Sequence, residues 1–304
     1  MAIIENPPSP LVGKLEGLHL FHFEGAPCAQ RVRFALVERG LARGRAVPWQ
    51  SDTPADCAGE PGRWVSRHVS LVRKAHISPE YAAIHPHMVV PALVHDGVLH
   101  IESMDIVKYV DDHWPGDKLI PEDAVRRELS DALVARGKAL HRNIRYVSFR
   151  WGLGRLGRLG RREEARLIEL EQDGSPEGMA EFYAGFDADR IPQSIYLDKL
   201  RELEAGYAEL ETLLERDGRA FLTGPTLTPA DIIWSLKVLR IAECGYPFAS
   251  RYPALFAWYG RVARRPGFRA GVMARHGLMS GMFKTKASVE GWFGRGLKHL
   301  AGAA

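Results

Sequence analysis

The sequence predicts two domains and an extension: an α/β domain over residues 18–115, an all-helical domain over 122–275 and a helical tail over 276–304. Three observations support this division. The chain has 304 residues, more than a single hydrophobic core usually organises. Short strand patterns alternate with helical patterns before residue 115, and every periodic segment after residue 122 has helical spacing. Residues 119–123 read as the linker.

The first strand is predicted over residues 17–23, where apolar residues alternate or run together. A break follows, and then a helix over residues 28–39 that stops at Gly40, because glycine suits a helix C-terminus. Residues 43–49 are predicted as a second short strand. We expect the proline-rich residues 1–17 to form a loose arm.

Residues 64–74 are predicted as a helix with a basic face in solvent. A hairpin follows over residues 92–95 and 98–101, because Asp96-Gly97 is a strong two-residue turn signal. Strand, helix, strand, hairpin and final helix are the element order of a thioredoxin-like domain.

The final helix of this domain opens at Glu102 and Ser103. A helix N-terminus exposes unpaired N–H groups and a partial positive charge. A ligand with a carboxylate is expected to dock there, with the Ser103 hydroxyl as a donor. The alternative is that Ser103 only caps the helix and Glu102 only lies in its first turn.

Cys28 is the candidate catalytic residue. It lies at a predicted helix N-terminus with Arg31 and Arg33 nearby, and both the helix dipole and the positive charges favour a thiolate. Such a cysteine either stabilises another thiolate by hydrogen bonding or acts as a nucleophile. The alternative is a small buried cysteine that packs as an apolar side chain.

Composition excludes several classes of protein. The net charge of +4, with 46% hydrophobic and 26% charged residues, demands no nucleic-acid partner. Three cysteines without metal-type spacing indicate a reducing compartment, and the histidines match no zinc pattern. No apolar run approaches the ~20 residues of a membrane helix, and the first residues lack a signal-peptide pattern. We expect a cytoplasmic protein with no metal and no membrane partner.

In the helical half, residues 122–150 are predicted as one long helix. Gly152, Gly154 and Gly157 match G-x-G-x-x-G, but no strand precedes them, so we reject a dinucleotide site. The six arginines between residues 150 and 166 are expected to attract an anionic or phenolate substrate.

Residues 172–192 are predicted to be broken, and an amphipathic helix follows over 197–214. Thr228 and Asp231 form a capping box before a buried helix. In the tail, Trp292, Phe293, Leu297 and Leu300 are predicted to share one helix face that packs on the protein rather than on a membrane.

The run from Val89 to Ser103 resembles the glutathione site of glutathione S-transferases. The resemblance implies that Pro91 follows a cis peptide bond and that the Val90 backbone binds the cysteinyl part of glutathione. It also implies that Glu102 and Ser103 hold the γ-glutamyl end. The basic side chains between residues 63 and 74 then have a second interpretation, as a contact to the glycyl carboxylate.

Residues 25–36 resemble the Ser-x-Cys-x-x-Arg-Val-Arg-x-Ala-Leu pattern of zeta-class transferases and reductive dehalogenases. Ala26 replaces the serine of that pattern, so a serine mechanism is excluded here, and Cys28 falls on its cysteine. Backbone N–H groups at residues 28–29 are the alternative means of binding the thiolate.

The resemblance, which covers about residues 18–270, implies a glutathione transferase that acts on a hydrophobic aromatic electrophile, with glutathione as co-substrate. The insertion at 150–195 resembles bacterial β-etherases, so cleavage of a β-aryl ether ranks first. Reductive dehalogenation ranks second and zeta-type isomerisation third. A binding protein without catalysis is the alternative of another class. This fold usually dimerises, so we expect a homodimer.

Overall fold

The computed structural model describes residues 3–171 and 178–300. The chain divides into two compact units. The first comprises Met1–Gly116 and Arg158–Arg190, and the second comprises Asp117–Gly157 and Ile191–Ala304. The predicted domains over 18–115 and 122–275 and the predicted tail over 276–304 are drawn differently: residues 1–17 and 158–190 group with the first unit, and the tail groups with the second.

Strands and helices are numbered in chain order. The strands of the described residues are β1 (Ile3–Ile4), β2 (Leu18–His22), β3 (Ala42–Pro48), β4 (Arg63–His68), β5 (Ala92–His95) and β6 (Val98–His100). The helices are α1 (Pro27–Glu38), α2 (Pro54–Cys57), α3 (Pro79–Ala82), α4 (Ser103–His113), α5 (Ala124–Ala139), α6 (His141–Ser148), α7 (Arg161–Leu170), α8 (Met179–Asp187), α9 (Gln193–Asp217), α10 (Pro229–Glu243), α11 (Phe248–Arg251), α12 (Pro253–Ala263) and α13 (Gly277–Trp292).

The first unit is built on one sheet with the strand order β1-β6-β5-β2-β4-β3. Strand β2 pairs parallel with β4 and antiparallel with β5, and β5 pairs antiparallel with β6. The turn between β5 and β6 has positive φ at both Asp96 (48°) and Gly97 (77°), as a two-residue hairpin requires. The thioredoxin-like fold of this unit is therefore confirmed.

The predicted helix over residues 64–74 is wrong, because Arg63–His68 is a strand paired on both sides. Trp64 and Val65 are both buried, so successive residues point to two covered faces. Arg67 is buried as well, because its guanidinium donates to the carbonyls of Ser51 and Asp56, both at 2.7 Å. In the sequence, an arginine such as Arg67 suggests a segment that faces solvent. The sequence does not show that its guanidinium donates to loop carbonyls.

The predicted loose arm at residues 1–17 is also wrong. Ile3 and Ile4 pair with β6 at the edge of the sheet. Three apolar side chains farther along the arm are buried in the core of the first unit: Leu11, Val12 and Leu15. Burial of this apolar surface fixes the arm in place.

Helices make up the second unit. The predicted single helix over 122–150 is interrupted at Leu140, where the backbone turns to φ −87° and ψ 10° between α5 and α6. Helical turns continue over Phe149–Leu153 and Gly154–Gly157, so the glycine pattern lies in helical structure. The predicted capping box at Thr228 and Asp231 is confirmed at the start of α10.

The segment Arg158–Arg190 carries α7 and α8, which pack on each other. This segment groups with the first unit. Burial lowers the pKa of Lys74 there, and the negative charges of Asp187 and Glu163 oppose that shift. The predicted broken stretch at 172–192 lies partly outside the described residues, and α8 shows that its second part is helical.

The predicted tail helix ends earlier than expected. Helix α13 stops at Trp292, and of the four residues predicted to share a packing face only Leu297 is fully buried. Trp292 and Phe293 are instead 91% and 72% exposed. Within residues 3–171 and 178–300, no helix is long and apolar enough to cross a membrane.

Candidate functional site

Cys28 lies in the first turn of α1. The loop after β2 ends at Ala26, Pro27 occupies the first helical position, and Cys28 follows with a half-buried side chain. Proline suits that position because its missing N–H would have had no partner in the helix. The remaining N–H groups of the first turn are left to bind an anion.

Arg31 connects Cys28 to a helix N-terminus far along the chain. Its guanidinium Nη1 lies 3.6 Å from Cys28 Sγ and donates to Ser103 Oγ at 3.1 Å. The Arg31 side chain is almost fully buried, and so is Ser103, the first residue of α4. One buried cation therefore links Cys28, the candidate catalytic residue, to Ser103, a candidate glutathione-binding residue.

Glu102 precedes α4 in an unusual conformation. Its backbone has φ 66° and ψ 103°, a region that non-glycine residues rarely adopt. The Glu102 carbonyl accepts from the N–H groups of Asp105 and Ile106, so the residue begins the helix. Such conformations persist where the surroundings hold them, and they cluster at ligand-binding sites.

The peptide bond between Val90 and Pro91 is cis, as the resemblance implies. Both residues are buried, and they immediately precede β5. The carbonyl of the preceding residue, Val89, accepts a hydrogen bond of 2.9 Å from the Tyr81 hydroxyl. Tyr81 is completely buried, so it holds this segment from the core side.

A second buried arginine supports the loop before Cys28. The Arg33 guanidinium donates to the carbonyls of Phe23 (3.2 Å) and Glu24 (2.9 Å) and lies 3.0 Å from Nδ1 of His22. The carboxylate of Glu24 lies 2.6 Å from Arg43 and 3.6 Å from Arg33. Burial lowers the pKa of Arg33 to about 10, the Glu24 charge opposing part of that shift.

The contacts among the candidate site residues are not apparent from the sequence. Arg31 and Arg33 were both expected near Cys28, and nothing in the sequence relates Arg31 to a serine 72 positions away. Among the described residues, no three His, Cys, Asp or Glu side chains lie together in a way that could hold a metal ion.

Comparison with known proteins gives two family matches and several relatives. Residues 20–118 match the family described as glutathione S-transferase, N-terminal domain, and residues 175–266 match glutathione S-transferase, C-terminal domain. The chain is 27% identical over 113 residues to glutathione S-transferase 1 of Dianthus caryophyllus, which is 37% of this chain and 42% of that protein. This match therefore spans less than half of the Dianthus protein.

Two further matches cover more of the chain. The chain is 26% identical over 205 residues to glutathione S-transferase theta-1 of Mus musculus, which covers 66% of this chain and 71% of that protein. The solved structure of β-etherase LigF from Sphingobium sp. has the same fold, with a TM-score of 0.68, 20% identity and coverage of 84% of this chain and 98% of that one. The two-part fold and both family matches lead to one conclusion: the chain belongs to the glutathione S-transferase family.

Proposed function

We propose that this protein binds glutathione in its first unit and directs the glutathione thiolate at a hydrophobic aromatic electrophile. The observation that carries the proposal is the position of Arg31, 3.1 Å from Ser103 Oγ and 3.6 Å from Cys28 Sγ. The two helix N-termini proposed to bind the γ-glutamyl end and the cysteinyl sulfur of the same tripeptide are joined by one buried cation.

The binding roles follow from the chemistry of each group. The Ser103 hydroxyl and the first N–H groups of α4 donate to the α-carboxylate of the γ-glutamyl residue. The Glu102 carboxylate accepts from its ammonium group. The backbone of Val90, held beside cis-Pro91, pairs with the cysteinyl residue. Together these contacts orient the sulfur toward α1.

The N-terminus of α1 activates the glutathione sulfur. The N–H groups at residues 28–29, the Cys28 thiol as a donor and the positive charge of Arg31 all stabilise a thiolate over a thiol. Ala26 has no hydroxyl to contribute. The thiolate is the nucleophilic form, so its stabilisation at neutral pH is what the site supplies to catalysis.

The reaction ranked first is cleavage of a β-aryl ether. The thiolate attacks the carbon that bears the aryloxy group, one C–S bond forms, one C–O bond breaks, and the aryloxide leaves with the electron pair. The arginines between residues 150 and 166 favour a substrate that becomes a phenolate. A protein named as a β-etherase shares this fold, which is consistent with the proposal.

Reductive dehalogenation is the second candidate, and the half-buried Cys28 thiol beside Arg31 favours it. One glutathione displaces chloride from the ring, and the Cys28 thiolate then attacks the sulfur of that conjugate. The ring carbon takes a proton, Cys28 becomes a mixed disulfide, and a second glutathione releases oxidised glutathione.

Zeta-type isomerisation ranks third because of Ala26, and a non-catalytic binding protein is the remaining class. A cytoplasmic homodimer belongs to the proposal as well.

A product screen by mass spectrometry tests these reactions. The protein is incubated with glutathione and, separately, a β-aryloxy ketone, a chlorinated hydroquinone and a maleyl-type cis-alkene. We expect a glutathione thioether and a released phenol from the ketone. Chloride with oxidised glutathione from the hydroquinone would support the second candidate, and an isomerised alkene the third. Failure of the protein to bind glutathione at all would contradict the proposed function.

A further inference from the structure

The outward face of α13 carries large apolar side chains near both of its ends, with the polar Thr285 exposed between them. Five large apolar side chains on α13 and at the residue that follows it are more than half exposed: Leu278 (84%), Met282 (60%), Val289 (52%), Trp292 (91%) and Phe293 (72%). At 100° per residue, four of them fall within about 60° of arc and Trp292 lies beside them. They form a stripe roughly 22 Å long, which we name the α13 stripe.

The opposite face of the helix anchors it within the second unit. The side chains on that face are buried: Ser280, Phe283 and Ala287. Immediately before the helix, the His276 ring lies 2.7 Å from the buried carboxylate of Glu243. Farther along, the Lys286 ammonium donates to the carbonyl of Trp151 at 2.9 Å. The stripe is therefore displayed by a fixed helix and is not the frayed end of the chain.

The surroundings of the stripe are basic. Residues 275–299 contain five lysines and arginines against one acidic residue, Glu290. Lys286 and Glu290 form an ion pair of 2.7 Å. The other four cations of this stretch are exposed: Arg275, Lys284, Arg295 and Lys298.

We propose that the α13 stripe docks on an anionic lipid surface and lies in the plane of the bilayer interface. A helix with an apolar face, aromatic side chains and nearby cations binds in this way, because apolar groups enter the headgroup boundary and cations meet lipid phosphates. A second copy of the chain is a less favourable partner for the stripe. Pairing two stripes would bring two sets of four cations together, and these would repel each other.

This inference is independent of the proposed function and revises the expectation that the tail packs only on the protein. It requires no membrane-spanning helix, since the apolar face alone enters the interface. Large exposed apolar patches on soluble domains generally mark interaction sites.

Co-sedimentation with lipid vesicles tests the proposal. The full chain is mixed with phosphatidylglycerol–phosphatidylethanolamine vesicles and, in parallel, with neutral phosphatidylcholine vesicles. The double variant Trp292→Ser/Phe293→Ser is compared with Val125→Ser, which removes a 75%-exposed apolar side chain from α5. We expect the wild type and Val125→Ser to bind the anionic vesicles, and the double variant to partition about tenfold less.

The single variant Lys284→Glu should also weaken binding to anionic vesicles, because it reverses one of the exposed charges. Unchanged circular dichroism and an unchanged midpoint of urea unfolding would show that all variants are folded. Absence of vesicle binding by the wild type, or equal binding by the double variant, would overturn the proposal. Light scattering that shows loss of self-association in the double variant, without vesicle binding, would assign the stripe to contacts between copies instead.

Discussion

At the scale of single residues, Cys28 is the side chain whose removal is most informative. We expect Cys28→Ala to lower kcat at least about tenfold, because the variant loses a donor to the thiolate in the transition state. Glutathione affinity should change little, because Glu102, Ser103 and the Val90 backbone remain. Steady-state kinetics and calorimetric titration measure the two quantities, with Cys57→Ala as the matched control. An unchanged kcat would assign activation to the backbone N–H groups and Arg31, without Cys28.

Arg31 gives a second prediction at this scale. Arg31→Lys keeps the positive charge but loses the planar fork that reaches both Cys28 and Ser103. Loss of a charge-assisted hydrogen bond costs about 1.5–3 kcal/mol, so we expect the KM for glutathione to rise on the order of tenfold. The exposed Arg63→Lys is the control. A KM within twofold of wild type would show that Arg31 does not position the ligand.

Some candidate site residues can be predicted from a sequence motif, whereas the contacts between others cannot. Val90, Pro91, Glu102 and Ser103 belong to one short motif, so pattern alone predicts them. The link between Arg31 and Ser103 joins positions 72 residues apart, and a single sequence carries no signal for such a pair.

At the scale of elements, the loop between β2 and α1 depends on Arg33. We expect Arg33→Leu to lower the free energy of unfolding by about 3–5 kcal/mol, because Glu24 and two loop carbonyls would lose a buried charged partner. Urea unfolding measures this value. Arg63→Leu, which removes an exposed ion pair with Glu60, should cost less than about 1 kcal/mol. Similar losses in the two variants would contradict a supporting role for Arg33.

Elements were predicted well where a local signal marks a boundary: Gly40 after α1, the capping box at the start of α10 and the Asp96-Gly97 turn of the β5–β6 hairpin. Strand β4 was missed because it is buried on both faces and carries Arg67, whose guanidinium donates hydrogen bonds to loop carbonyls rather than to solvent. Strand β1 was missed because two residues pairing with β6 leave no periodic pattern.

At the scale of the whole molecule, buried histidines make stability depend on pH. Burial lowers the pKa of His19 and His100 to about 4 and that of His76 and His85 to about 3. Between these values and about 6.5 the unfolded chain binds more protons than the folded one. The free energy of unfolding should therefore fall as the pH decreases from about 6.5.

The variant His100→Phe tests this dependence on the folded protein. The ring of His100 stacks on Tyr109 at 3.9 Å between centroids, and phenylalanine preserves that contact without a titrating group. Between pH 7.5 and 5.0 we expect the variant to lose on the order of 1–2 kcal/mol less stability than the wild type. Urea titrations at the two pH values give the comparison, and equal losses would contradict the assignment.

Domain order was also predictable at this scale, because helical spacing begins near residue 122 and continues to the tail. The grouping of Arg158–Arg190 with the first unit was not predictable, since Glu163 and Asp187, whose charges act on the pKa of Lys74, lie far from it in sequence.

The most direct test of a glutathione site at the start of α4 is calorimetric titration of glutathione into the wild type and the variants Ser103→Ala and Ser130→Ala. The control, Ser130, is a buried serine on α5. We predict binding heat for the wild type and Ser130→Ala, and about tenfold weaker binding for Ser103→Ala. Absence of heat for the wild type, or equal affinity in all three proteins, would contradict a glutathione site at the α4 N-terminus.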